Sequence, residues 1–210
     1  MGVVVKQSIK GTIVNYLGVA IGAFTTFFIL TRYLTAEEVG LTRVLVEAAT
    51  LLSGLSQLGT SASILRYYPY FKDEKNKDNG FFFWSIVIPL IGFALFSLVY
   101  VILKTPITSY FAEKSELFNS FYFYVLPLAF FLLYVTVFEA NANVLLRIVV
   151  PKFVREVLVR VLSLGCYLIY AFRLISLEGF VIAFCGVYAV CRFCIYCIVC
   201  NNCIFTSVQY

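Results

Sequence analysis

Residues 41–71 read LTRVLVEAATLLSGLSQLGTSASILRYYPYF. The apolar content of this stretch extends past the roughly 20 residues that a helix needs to cross a hydrocarbon core. Inside it, Arg43, Glu47, Thr50, Gly54, Gln57 and Ser61 recur at steps of four, three, four, three and four. Those steps place all six on one face of a helix. Lipid satisfies neither charges nor amides, so such a stripe must face protein or water. Two readings follow. The stripe is a polar seam packed on a neighbouring helix, with Arg43 and Glu47 as a structural pair, or it is one wall of a wet transport cavity. Both require a bundle of membrane helices.

The rest of the chain agrees. Of 210 residues, 62% are hydrophobic and 13% charged, against about half and a quarter in soluble domains. An all-α integral membrane protein is the expected fold class. Histidine is absent, which removes imidazole catalysis and histidine-bearing zinc or haem sites. The net charge is only +5. No basic run interleaves with aromatics, so nucleic acid is not an expected partner. Lys6 and Lys10 precede an apolar stretch that continues to Leu34. That is too long for the core of a cleaved signal peptide and reads as a retained anchor.

A 20-residue ruler gives six transmembrane helices, at about 12–34, 41–68, 81–104, 119–146, 153–173 and 177–200. Together they make one lobe over residues 1–200, followed by a short tail at 201–210. The breaks carry charge or turn signals, among them TAEEVG, PYFKDEKNKDNG and RLISLEG. Lys6, Lys10, Arg66, Lys72, Lys75, Lys77, Arg147, Lys152 and Arg155 fall on one side of this arrangement. Arg32, Arg43, Lys104, Lys114 and Arg173 fall on the other. The excess predicts that both termini are cytoplasmic.

Polar residues recur in the other predicted helices. Glu156, Arg160, Ser163, Tyr167 and Tyr170 share a face of the fifth, with Arg160 about 15 Å beyond Pro151. Glu139 and Arg192 also fall inside spans. For each of these charges a salt bridge and a functional role are both open. Asn15, Gly18, Gly22 and Thr25 share a face of the first helix, and the Gly18–Gly22 spacing permits close helix approach. Pro89 and Pro127 predict kinks in the third and fourth helices.

SIKGTIVNYLGVAIGAFTTFFILTRYLTAEEVGLTRVLVEAATLLSGLSQLGTSASILRYYPYFKD (8–73) resembles the start of bacterial polysaccharide-biosynthesis flippases. These belong to the multidrug/oligosaccharidyl-lipid/polysaccharide exporter superfamily. The shared features are LTAEEVGL at 34–41, QLGTS at 57–61 and RYYPYFKD at 66–73. VPKFVREVLVRVLSLGCYLIYAFRLIS (150–176) resembles the family's fifth helix. The resemblance implies one lobe of a MATE-like flippase. Two six-helix lobes would surround a central cavity and move undecaprenyl-diphosphate-linked oligosaccharide across the bacterial inner membrane, by transport and not by an enzyme reaction. A diphosphate in a low-dielectric cavity needs cations, and arginine meets phosphate oxygens bidentately. Arg43, Arg160 and Arg192, with Gln57, are therefore the candidate head-group contacts. Glu47 and Glu139 are candidates for a coupling H⁺ or Na⁺; no other cofactor is expected. Expected partners are the lipid-linked oligosaccharide, membrane lipid and a second six-helix lobe. A truncated chain would explain the ending NNCIFTSVQY where that lobe should begin; assembly of two copies, or with another chain, is the alternative.

The rival functions are a multidrug-type exporter, a membrane metal or redox subunit built on CRFCIYCIVCNNC (191–203), and a non-transporting assembly protein, which would tolerate neutral replacement of Arg43 and Glu47. A drug site would favour acidic and aromatic lining, which several arginines oppose. Cysteines every third residue along a helix slip by about 60° per step. Five of them fan too widely to converge on one ion, so the expected role of Cys191–Cys203 is passive and no metal site is expected.

Overall fold

The computed structural model describes residues 3–71, 80–112, 116–144 and 149–205, and no strand occurs among them. Lys72, Lys75, Lys77, Lys114, Arg147 and residues 206–210 lie outside the described residues, as do the side chains of Lys6, Cys200 and Cys203. The orientation argument uses several of these positions.

Helix α1 (Val3–Phe24) continues through a π-helical segment (Thr25–Leu30) into the short α2 (Thr31–Tyr33). Leu34 is extended, and Thr35 then starts α3 (Ala36–Ser56) with a capping box. The Thr35 hydroxyl accepts from the Glu38 N–H, and the Glu38 carboxylate accepts from the Thr35 N–H. Two donors that a helix start leaves orphaned are thereby satisfied.

The continuous helix expected at 41–68 is broken. It begins earlier, at Ala36, ends at Ser56, and resumes as α4 (Thr60–Phe71). Leu58 and Gly59 take positive φ of 48° and 73°. Two successive left-handed residues cannot propagate a right-handed helix. Gly59 adopts that conformation freely; Leu58 does so at a steric cost. Gln57 and Ser61 are therefore no longer in helical register with Arg43 and Glu47.

The remaining elements follow the predicted order with shifted ends. They are α5 (Phe81–Ile102), α6 (Lys104–Ala112), α7 (Glu116–Ser120), a 3₁₀ turn (Tyr122–Tyr124) and α8 (Val125–Val144). The segment expected as a plain loop after residue 104 is thus largely helical. Pro89 lies inside α5, whereas Pro127 lies in the first turn of α8. A missing N–H costs no helical bond there, so the kink expected at Pro127 is replaced by a helix start. Next come α9 (Val149–Phe153), a second π segment (Val154–Leu158) and α10 (Val159–Ala171), in one continuous run. α10 ends in a Schellman motif. The Leu174 N–H reaches the Ile169 carbonyl, the Arg173 N–H reaches Tyr170, and Arg173 has φ of 56°. Finally α11 runs from Leu177 to Phe205, past the end expected at residue 200.

Among the described residues, five helical stretches are long and apolar enough to cross a membrane: Gln7–Tyr33, Ala36–Ser56, Phe81–Ile102, Tyr122–Val144 and Leu177–Cys197. The remaining predicted span, the fifth at 153–173, corresponds to the run from α9 to α10. It differs by carrying Lys152, Arg155, Glu156 and Arg160.

α8 is the hub, packing against α3, α4, α5 and α11. Half of its span is buried, against 17% for α5 at the periphery. Leu41, Leu45, Ala49 and Leu52 of α3 meet Val125, Leu128 and Ala129 of α8 and Phe180 and Phe184 of α11 in the main core. α10 packs on α11, and α1 packs on α9, α10 and the π segment between them. α1 packs mainly on the fifth span, while Ile29 and Leu30 beyond it join the main core, and a space opens between α1 and α3.

Candidate functional site

That space is a groove of about 280 Å³ bounded by α1 with its π segment, α3, α10 and α11. Its polar floor is buried: Thr25, Thr42, Ser163 and Tyr167 are each less than a tenth exposed. Arg43 and Glu47 stand at the exposed rim, and Arg160 enters from the opposite wall. Phe184 and Tyr188 close the α11 side. Both π segments belong to helices that border this groove. Such one-residue insertions are concentrated at functional sites, because they redirect side chains and loosen the hydrogen-bond ladder.

The polar stripe of α3 does not pack on a neighbour among the described residues. Arg43, Glu47, Thr50 and Gly54 are exposed, while Leu41, Leu45, Ala49, Leu52 and Ser56 are buried behind them. Nor do Arg43 and Glu47 form an ion pair; the salt bridges among the described residues all lie elsewhere. Arg43 lines the groove together with Tyr167. The packed-seam reading therefore fails for α3 within this lobe.

Arg160 is differently held. It donates to the Glu156 carboxylate at 3.0 Å and to the Gly18 carbonyl at 2.6 Å. Arg155 donates to Glu139 at 2.7 Å and to Glu156 at 3.4 Å. Two guanidinium groups and two carboxylates thus alternate across α8, the second π segment and α10 into α1. Charges inside a membrane are tolerated when paired this way. Gly18 and Gly22 permit the contact. A Cβ on Gly18 would lie 2.6 Å from the Glu156 carbonyl, and one on Gly22 would lie 2.6 Å from Arg160 Nη1. The small-residue face of α1 accommodates the charged face of the fifth span.

The other candidates are dispersed. Gln57, displaced by the break after α3, donates from Nε2 to the Thr136 hydroxyl at 2.9 Å. Glu139 belongs to the Arg155 pair and lies outside the groove lining. Arg192 projects to another side of α11, over the rings of Phe130 and Tyr134. Of the six proposed ligand and ion residues, the fold brings together Arg43, Arg160 and Glu47. Helical periodicity orders residues within one helix; it cannot say which faces of different helices meet.

Two groove residues, Thr42 and Tyr188, carry no charge and gave no signal of their own. Glu38 was also missed. Its carboxylate serves the cap and accepts a hydrogen bond from the Tyr170 hydroxyl, tying the start of α3 to the end of α10. The T-x-x-E pattern at Thr35–Glu38 could have revealed half of that arrangement.

α11 is helical throughout Cys191–Cys203, the geometry on which the fanning of those cysteines depends. Cys191 is fully buried beside Val187 and Ile195, whereas Cys194 and Cys197 are partly exposed. Cys191→Ser is therefore expected to lower the melting temperature in detergent, because a hydroxyl replaces a packed sulfur. Cys197→Ser should leave it near the parent value. Equal melting temperatures for the two variants would contradict this assignment.

Among known protein families, the model described as polysaccharide biosynthesis protein matches residues 8–207. No curated protein and no solved structure shows a significant match.

Proposed function

The chain belongs to the polysaccharide biosynthesis protein family, and on that premise we propose that it is a flippase lobe that moves lipid-linked oligosaccharide across the bacterial cytoplasmic membrane. Its several apolar spans make it a multi-pass membrane protein. The observation that carries the proposal is the groove. Two arginines and one glutamate border a buried hydroxyl floor, in a part of the molecule otherwise built of apolar helices.

Arg43 is the primary contact for the lipid diphosphate. Its guanidinium has no carboxylate partner among the described residues, so its donors are available for phosphate oxygens. Arg160 is a secondary contact, because an arriving anion competes with Glu156 for it. Glu47, one turn beyond Arg43, holds the coupling H⁺ or Na⁺. Transport then follows from differential affinity: phosphate at Arg43 changes the field at Glu47, and cation binding there changes the affinity for phosphate. Gln57, Glu139 and Arg192 have other neighbours and leave this assignment.

A cavity of about 280 Å³ lies at the lower edge of the range for small-ligand pockets, about 300–1,000 Å³. It cannot enclose a lipid bearing several sugars. The groove is therefore one wall, and the exposed stripe of Arg43, Glu47, Thr50 and Gly54 faces a second six-helix lobe across the transport route. Both termini of the lobe are cytoplasmic on this reading.

The test is made in a strain whose surface polysaccharide depends on this protein. Arg43→Ala, Arg43→Lys and the double variant Arg43→Ala/Glu47→Ala are checked for membrane insertion and then scored for polysaccharide. Arg43→Ala and the double variant are expected to lose export, and Arg43→Lys to keep part of it. Parent-level export by the double variant would exclude Arg43 as a substrate contact.

A further inference from the structure

We infer that the aromatic pocket around Arg192 binds the phosphate headgroup of an anionic membrane lipid. The pocket is separate from the groove. It encloses about 510 Å³ between α5, α8 and α11, is lined by Ile86, Tyr134, Phe138, Arg192, Phe193 and Tyr196 among others, and shares no lining residue with the groove.

Arg192 is set there with unusual economy of partners. Its Cζ lies 4.7 Å from the ring centroids of both Phe130 and Tyr134. These contacts hold the guanidinium through the ring quadrupoles and use none of its in-plane N–H donors. The Tyr134 hydroxyl donates to the Ile86 carbonyl at 3.2 Å, which fixes that ring and ties α8 to α5. Among the described residues no carboxylate pairs with Arg192, and no hydrogen bond from its guanidinium is formed. An arginine inside a membrane span is ordinarily paired or turned toward water. Here no described residue supplies the complementary charge, and an anion from outside would.

Depth and surroundings identify the source. Arg192 lies eight residues before Cys200, after which Asn201 and Asn202 interrupt the apolar run of the sequence. At 1.5 Å per residue its Cα is about 12 Å from that end, a gap that the long arginine side chain shortens toward the headgroup level. The opening is apolar: Phe193 is 67% exposed and Tyr196 42% exposed beside it. The pocket therefore offers an acyl chain an aromatic wall and its phosphate a bidentate donor. A free phosphate would find only half of that complementarity.

The experiment places one tryptophan at the pocket of the full chain. Trp84 is the natural tryptophan, so Trp84→Phe with Phe193→Trp gives a local reporter. The protein is reconstituted in phosphatidylcholine vesicles containing brominated phosphatidylglycerol or brominated phosphatidylcholine, and quenching yields their relative association. A preference for phosphatidylglycerol of about fivefold is expected, the size of one basic contact at a membrane surface. Arg192→Gln should reduce it to one and Arg192→Lys should retain part of it. Millimolar inorganic phosphate should not change it. A second reporter, Trp84→Phe with Leu95→Trp on the outer face of α5, should show no preference. If Arg192→Gln does not insert, the contrast between these two reporters decides. Equal preference at both, a ratio of one at position 193, displacement by inorganic phosphate, or an unchanged ratio in Arg192→Gln overturns the inference.

Discussion

Glu156→Gln is expected to lower the melting temperature of the purified protein more than any other single charge removal. Glu156 is the shared acid of the network, accepting from Arg160 at 3.0 Å and from Arg155 at 3.4 Å. Its side chain is only 14% exposed. Without it, two guanidinium groups remain with Glu139 as their one carboxylate, and Arg160 keeps the Gly18 carbonyl but no counter-charge. Removing one member of a fully buried pair costs about 3 kcal/mol at the lower end of the observed range, and the 35% exposure of Arg160 brings the expected cost below that. The damage should appear where α1 meets the fifth span, because Arg160 is the bridge between them. The combined Glu156→Gln/Arg160→Gln variant leaves no uncompensated arginine at this position and should recover much of the loss. A melting temperature for Glu156→Gln equal to that of the parent would show that the pair carries no stability.

Gly92→Ala should be at least as damaging, for a steric reason. Gly92 of α5 faces the end of α3, and a Cβ built there would lie 2.2 Å from the Ser56 carbonyl oxygen and 3.0 Å from Leu58 Cδ1. The first of these is backbone and cannot rotate away. Overpacking commonly costs about 1–3 kcal/mol where side chains adjust, and here α5 must separate from the break that ends α3. The yield of monodisperse protein is expected to fall sharply. Gly54→Ala and Gly165→Ala provide the controls, since nothing lies within 4 Å of a Cβ at either. Both are helical positions where alanine is the better helix former by about 1 kcal/mol. If Gly92→Ala is as well expressed and monodisperse as these two, the close approach of α5 to α3 is wrong.

Both sites show how far periodicity carries. The steps of three and four along residues 41–61 correctly place Arg43, Glu47, Thr50 and Gly54 on one exposed face of α3. They fail at Gln57, because a stripe argument assumes a continuous helix and Leu58–Gly59 is a left-handed break. The glycine was visible, but a glycine inside an apolar stretch is also common in intact membrane helices. The face shared by Glu156, Arg160, Ser163 and Tyr167 was equally legible, and three of those four residues line the groove. That Glu156 itself serves as the acid for both arginines was not, since Arg155 lies next to it in sequence and Gly18 is 142 residues from Arg160.

The amino-acid sequence by itself determined that this is an all-α membrane protein, where most of its spans lie, and which face of α3 is polar. These properties are local: they depend on transfer free energies summed along some 20 residues and on a 100° turn per residue. Its resemblance to polysaccharide-biosynthesis flippases was legible in the same way, from motifs met in order along the chain. Only the tertiary structure decided that Arg43, Glu47 and Arg160 border one groove, that Glu139 and Gln57 are held by Arg155 and Thr136, and that Arg192 belongs to a different pocket. The physical reason is that in lipid one apolar helix face is nearly equivalent to another. Which faces meet is set by small-residue clearances such as Gly18 and Gly92, and by the pairing of charges that lipid cannot solvate. Both are relations between helices, and no single helix encodes them.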